Sequence, residues 1–250
     1  MNKILIWDLP TRLFHWAFAA SVTAALGIGF LVDDDDPLFR LHMLFGIIAL
    51  FLLALRLLLG LFGSRYAKFS SYPLRPREIV AYLTEAVVSK TRRYAGNNPG
   101  SALAAVLMFL LVPFLFVTGG GFGGGEVEET HETLAWAMLA MVGLHLAGIA
   151  WHTIRHRENI SLAMVTGRKP GNPEDAIASH HSGIGLGFAV LAGTWIIALF
   201  GNHDPRTAKV KLPLLSATVN LGENESEEHE HSRHKAHKKK PRVGRTRFYR

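Results

Sequence analysis

Cysteine is absent from all 250 residues. That excludes disulfides, thiolate-held iron–sulfur clusters and the C-x-x-C-H attachment of c-type haem. Aspartate and glutamate are missing from every long apolar run, and none of those runs alternates with period two, which excludes a spanning β-barrel. The zinc-protease pattern H-E-x-x-H is also missing, because in HETLA the position of the second histidine is held by Ala135. The glycine run GGGFGGG at 119–125 has no following Lys-Ser/Thr and no preceding strand, so it is a flexible loop and not a phosphate cradle. No acid, base and nucleophile set of a hydrolase is visible, and nothing points to a nucleic-acid partner.

What the chain has in quantity is apolar sequence, 49% of its residues. Five runs dominate: 13–32 (LFHWAFAASVTAALGIGFLV), 41–62 (LHMLFGIIALFLLALRLLLGLF), 101–118 (SALAAVLMFLLVPFLFVT), 133–152 (TLAWAMLAMVGLHLAGIAWH) and 183–200 (GIGLGFAVLAGTWIIALF). Each has the length needed to cross about 30 Å of hydrocarbon as a helix. Lys3 and Arg12 precede the first run as in a secretory signal. The run is too long for a signal core, however, and has no small-x-small cleavage site before DDDD, so it reads as a retained anchor. The expected fold class is an all-α integral membrane protein: a four-helix block, a fifth transmembrane helix at 183–200 and a basic tail over 201–250 that is disordered.

Loop charge sets the orientation. Residues 63–100 carry seven Lys/Arg and 153–182 carry four, whereas 33–40 hold only Arg40 against four aspartates and 119–130 hold three glutamates and no basic residue. The first two loops are therefore cytoplasmic, the N-terminus is inside, and five spans leave the tail outside the cell membrane. Its twelve Lys/Arg argue the other way, but charge counts govern short loops better than long extensions. In the tail, HEHSRHKAHKKK (229–240) reads as a divalent-metal site, a basic arm for an acidic electron carrier, or a solvated extension. In the long cytoplasmic loop, 76–90 (PREIVAYLTEAVVSK) places Ile79, Val80, Leu83 and Val87 on one side, as an interfacial helix or a small soluble hairpin would. Residues 170–182 are a linker.

Ionisable residues inside spans are costly and mark function by default. Here they are nearly all histidine. His131 and His145 are fourteen residues apart, so on one helix they share a face within about 40° and lie about 21 Å apart along the axis. Loop-charge topology puts His42 with His131 in an outer tier and His15 with His145 in an inner tier. Two imidazoles per tier are too few for four-coordinate zinc but suit the axial positions of a porphyrin iron, giving two bis-histidine haems b. Small residues follow at helical spacing: Ala19, Gly46, Ala135 and Gly148. His152, seven residues beyond His145 on nearly the same face, is the alternative inner ligand. Arg56, fourteen residues after His42, falls at the inner tier, where it meets a haem propionate or snorkels to the surface. Arg12 and Arg40, near His15 and His42, are weaker cofactor-binding candidates.

WDLPTRLFHW near the start, LHMLFG opening the second span, HETLAWAMLAMVGLH in the fourth and HRENISLAMVTGRKPG after it resemble the bacterial cytochrome b561 family, which includes the cytochrome b subunits of nickel–iron hydrogenases. The resemblance covers about residues 5–171. It implies a four-helix bundle in the bacterial inner membrane with two b-type haems, ligated at the positions of His15, His42, His131 and His145. It also implies electron transfer between a membrane quinone and a redox partner, a c-type cytochrome or a hydrogenase. One branch of the family oxidises superoxide and reduces quinone. A reading of another class keeps the histidines structural, in a non-redox transporter or metal-binding scaffold. Against a transporter, no discontinuous helix pair or intramembrane carboxylate is evident.

Overall fold

A computed structural model describes residues 2–88, 93–121, 127–204, 207, 209–215 and 217–221. Among these, the chain runs β1 (Lys3–Leu5), α1 (Leu9–Leu31), α2 (Phe39–Phe62), α3 (Pro76–Val88), α4 (Pro99–Phe116), α5 (Glu128–His156), α6 (Ser161–Thr166), β2 (Arg168–Pro170), α7 (Ser182–Gly201), β3 (His203–Asp204), β4 (Lys209–Lys211) and β5 (Thr218–Asn220). Five helices are long and apolar enough to cross a membrane: α1, α2, α4 with its continuation to Gly119, α5 and α7. They coincide with the five apolar runs, extended by polar caps that hydropathy does not register.

The caps are specific. Asp8 accepts a hydrogen bond from the Thr11 amide at 3.1 Å and Pro10 sits in the first turn, so α1 starts where its orphan amides are satisfied. Asn98 does the same for α4 through Ser101 at 2.8 Å. Pro113 removes one backbone donor inside α4, and the helix then widens into a π-turn over Val117–Gly121.

Helices α1 and α2 pack against each other, α2 against α4, and α4 against α5, while α7 lies on α1 and α2. The core is built from Phe14, Phe18, Leu44, Ile48, Leu52 and their neighbours. Phe51 and Trp195 stack in parallel at 3.9 Å to hold α7 on α2. Helix α5 is the exception. Met138 is its only buried side chain among the described residues, and it meets α1 and α2 chiefly through rings, with Phe30–Trp136 centroids 4.7 Å apart. It stands off from the pair that faces it.

At the end of the bundle that holds His15, the two outermost motifs close on each other. Strand β1 pairs antiparallel with β2, Ile4 opposite Lys169, and the Ile6 and Trp7 amides donate to the Gly167 carbonyl. From the first turns of α1, Arg12 Nη1 donates to the Val165 carbonyl at 2.6 Å and Trp16 Nε1 to that of Met164 at 3.1 Å. A second small core of Ile4, Ile6, Trp7, Tyr66, Ala163 and Ile177 seals the joint. Asp8, 2% exposed, also faces His181 Nδ1 at 3.7 Å, so one carboxylate ties the start of α1 to the start of α7. Asp8→Ala should therefore lower stability by at least about 1 kcal/mol, with Asp8→Asn keeping most of the cap. Thermal unfolding in detergent measures it, and a wild-type midpoint for Asp8→Ala would show that the cap carries nothing.

The tail departs from expectation. Within the stretch expected to be disordered, His203–Asp204, Lys209–Lys211 and Thr218–Asn220 form a three-stranded antiparallel sheet in the order β3-β4-β5, with His203 opposite Val210 and Val210 opposite Val219. Val210 and Leu221 are fully buried against the helices, and Trp195 Nε1 donates to the Pro213 carbonyl at 3.3 Å. The physical reason is local: KVKLPLLSATVNL carries enough apolar residues to pay for short strands, a signal swamped by the charged composition of the whole tail. Residues 229–240 and most of the glycine run lie outside the described residues. Helix α3 forms within the expected interfacial segment. It leaves Val80 and Leu83 exposed, and its Ala86 carbonyl accepts from Trp151 Nε1 at 3.0 Å.

Candidate functional site

His42 and His131, on α2 and α5, lie with ring centroids 5.9 Å apart and planes at 78°. Two imidazoles binding one iron from opposite sides through bonds of about 2 Å have centroids about 6 Å apart. The far side of each ring is already committed. His42 Nδ1 is 2.8 Å from the Ala25 carbonyl of α1, and His131 Nδ1 is 3.1 Å from the Leu115 carbonyl of α4. A carbonyl can only accept, so each Nδ1 carries the proton and each Nε2 keeps its lone pair for a metal. Thr118 assists, its hydroxyl 3.2 Å from His131 Nδ1 while it donates to the Phe114 carbonyl at 2.8 Å.

The same local device makes both anchors. A helical carbonyl normally serves only the amide four residues on, and a side chain there would block a second donor. Four residues after Ala25 is Gly29, and four after Leu115 is Gly119. A Cβ on Gly29 would come within 2.9 Å of His42 Cε1 and Nδ1, and one on Gly119 within 2.9 Å of His131 Cε1. Both glycines are close-approach positions. Sequence reading missed them together with Thr118: the glycines sat among many others, and a backbone carbonyl leaves no mark in sequence.

Between these rings lies a cavity, partly open to its surroundings, lined by Ala25, Gly46, Ala49, Leu115, Ala135 and Met138 besides the histidines. A Cβ on Gly46 would meet nothing within 4 Å, so room is present beside His42. Apart from the two imidazoles the walls are almost entirely apolar. A flat apolar group with an iron at its centre fits this donor set and this space.

Fourteen residues of α5, nearly four turns, separate this site from a second pair. His15 on α1 and His145 on α5 are half-buried and close enough for their charges to interact. His15 also lies edge-on to Trp16 at 5.3 Å. Past His145, a Cβ on Gly148 would meet open space. His152 belongs elsewhere: its ring is 4.4 Å from that of His156, and its other charged neighbours are Glu158, Lys169 and Arg93. In that polar rim Lys169 donates to the Tyr94 carbonyl, and burial holds its pKa below the usual lysine value. Among the described residues, no three His, Asp or Glu side chains converge as a metal-binding group. Across the helices His42 and His131 meet as a pair, and His15 and His145 come within electrostatic reach of each other.

Of the three arginines, Arg56 is the buried one, 3% exposed. It does not snorkel. Its Nη2 donates to the Ala67 carbonyl and to the Tyr72 hydroxyl, both at 2.8 Å, and its guanidinium carbon lies over the rings of Phe69, Phe14 and Phe109 at 4.8, 5.7 and 5.9 Å. Its Nη1 is buried with no hydrogen-bond partner. Arg12 turns its Nη1 to Val165, and Arg40 sits half-buried in the first turn of α2.

Residues 6–167 match a family model described as prokaryotic cytochrome b561. No curated protein and no solved structure matches the chain.

Proposed function

The chain belongs to the prokaryotic cytochrome b561 family and is thus a membrane haem b electron-transfer protein, and from that premise we propose that it holds two haems b within a four-helix bundle of α1, α2, α4 and α5. His42 and His131 ligate the outer one, His15 and His145 the inner one. The carrying observation is that His42 and His131 both have Nδ1 anchored on a carbonyl, with a cavity between helices to receive a flat group. Loop charge supports the His15 end as cytoplasmic in the bacterial inner membrane, with the sheet of 203–221 outside.

The bound haem supplies a one-electron iron couple. The chain supplies the rest. Carbonyl anchors fix the tautomers of His42 and His131 and raise their basicity. Four ligands in two pairs leave no open coordination position, so small-ligand chemistry at the metal is disfavoured. The apolar walls exclude water and lower the local dielectric. Arg56 Nη1 is available to a propionate of the inner haem, with Arg12 and Arg40 as lesser candidates near His15 and His42. The electron acceptor or donor in the membrane is a quinone, and the other partner is a c-type cytochrome or a hydrogenase-like protein.

A reduced-minus-oxidised absorption spectrum of the purified protein, made with ample haem, should show b-type bands, and a haem assay should give two per chain. Absence of b-type bands would sink this reading.

A further inference from the structure

Arg56 carries a full positive charge, since guanidinium stays protonated in proteins. Among the described residues no carboxylate forms an ion pair with it. The ion pairs among the described residues are Arg65–Asp175, Arg75–Glu78 and His181–Asp8, none of which reaches it. Only a carbonyl, a phenol and three ring faces balance the charge. A cation without a protein counter-ion in an apolar interior is expensive to keep, and it favours a reduced centre beside it either through its own field or by neutralising a propionate there.

Its depth is defined from two directions. Along α2 it stands fourteen residues from His42, the same offset that separates His131 from His145 on α5. From α1 it is approached by Phe14, the residue before His15. The charge therefore lies at the level of the His15–His145 pair. The other pair has no buried arginine beside it among the described residues: its cavity is walled by apolar side chains, Arg40 in the first turn of α2 is only half-buried, and the loop at that end of α1 and α2 carries Asp33, Asp34, Asp35 and Asp36.

We infer that Arg56 makes the His15–His145 site the stronger electron acceptor of the two, so that electrons run from the His42–His131 site towards it. This rests on the two-haem reading above. The step is a single electron: the outer site is oxidised, the inner site is reduced, and no bond or proton changes place. A positive charge stabilises the reduced, less positive form of the centre it faces. A unit charge about 10 Å away in an effective dielectric of about 20 shifts a one-electron equilibrium on the order of tenfold. The aspartates act in the same direction at the far end, weakened by their exposure to solvent.

The test is a spectroscopic redox titration of the purified holoprotein in a His131→Ala background, where only the inner haem titrates. Arg56→Gln should lower its midpoint by roughly the tenfold equivalent, about 59 mV for one electron. Arg56→Lys, which keeps the charge, should stay near the parent value. Tyr72→Glu, which leaves the guanidinium in place and sets a carboxylate on it, should lower the midpoint as well, and it covers the case in which Arg56→Gln fails to fold. An unchanged or raised midpoint in Arg56→Gln or Tyr72→Glu overturns the inference. So does a fall in Arg56→Lys equal to that in Arg56→Gln, because geometry and not charge would then be responsible. Two haems remaining in the His131→Ala parent would instead count against the ligand assignment on which the inference stands.

Discussion

His131→Ala is expected to remove one of the two haems and to leave the other with its spectrum intact. In the proposed assignment the imidazole is one of two ligands to its iron, and no other His, Asp or Glu converges on the cavity among the described residues. Alanine on α5 leaves His42 facing an apolar space that water enters poorly, so a haem there would be held by one imidazole and by packing. The change does not touch the other end: His145 is fourteen residues away, about 21 Å along the helix. His145→Ala should show the reverse pattern, losing the second haem and keeping the first. His152→Ala should keep both, because its ring is engaged with His156 in the polar rim. A pyridine haemochrome assay against protein concentration distinguishes two per chain from one. Retention of two haems in His131→Ala would remove the outer pair from the assignment, and loss of a haem in His152→Ala alone would move the inner ligand there.

Gly119→Ala and Gly29→Ala follow from the anchors. Each places a methyl within 2.9 Å of an imidazole carbon whose ring is already tied by its Nδ1. The ring must rotate or withdraw, and the hydrogen bond to the carbonyl lengthens. Losing such a support around a metal-ligating histidine typically costs 10–100-fold in affinity. The outer haem should therefore dissociate about 10–100-fold more readily, measured by transfer to a haem-scavenging protein, while the inner haem is retained as in the parent. A less basic imidazole also stabilises ferric iron less, so the outer midpoint should rise in whatever fraction keeps its haem. Wild-type retention and midpoint in both variants would show that the glycines are packing residues only. Thr118→Val, which keeps the Leu115 carbonyl free to accept, should have a smaller effect than Gly119→Ala.

The spans were legible because a bilayer demands long apolar helices, and five such runs left little choice. Their ends were less so: Asp8, Asn98 and the π-turn after Pro113 add turns or alter them through backbone hydrogen bonds that hydropathy does not weigh. The facing of His42 and His131 was legible from depth, since two helices that both start at the outer end and run in the same direction keep residues of equal depth level with each other. What held the rings was not, because the acceptors are main-chain carbonyls of Ala25 and Leu115. The level of Arg56 follows from its fourteen-residue offset from His42, but its cage draws on Phe69 and Tyr72, loop residues whose return to the helix no periodicity announces. The sheet of 203–221 was missed because three strands of two or three residues vanish within a fifty-residue average.

The joint between β1, the first turn of α1 and the stretch from Met164 to Pro170 also sets a schedule. The helix that carries His15 is made first, yet the carbonyls that clamp its base are made about 150 residues later. At bacterial-scale synthesis of about 5–20 residues per second, the base of α1 goes unclamped for roughly 8–30 s. During that interval α1 gains first α2 and then α4 as neighbours, and α5 is made only near its end. The base of the helix that carries His15 is thus fixed only after His131, the proposed outer ligand, has been made, and cofactor loading is expected to follow that order.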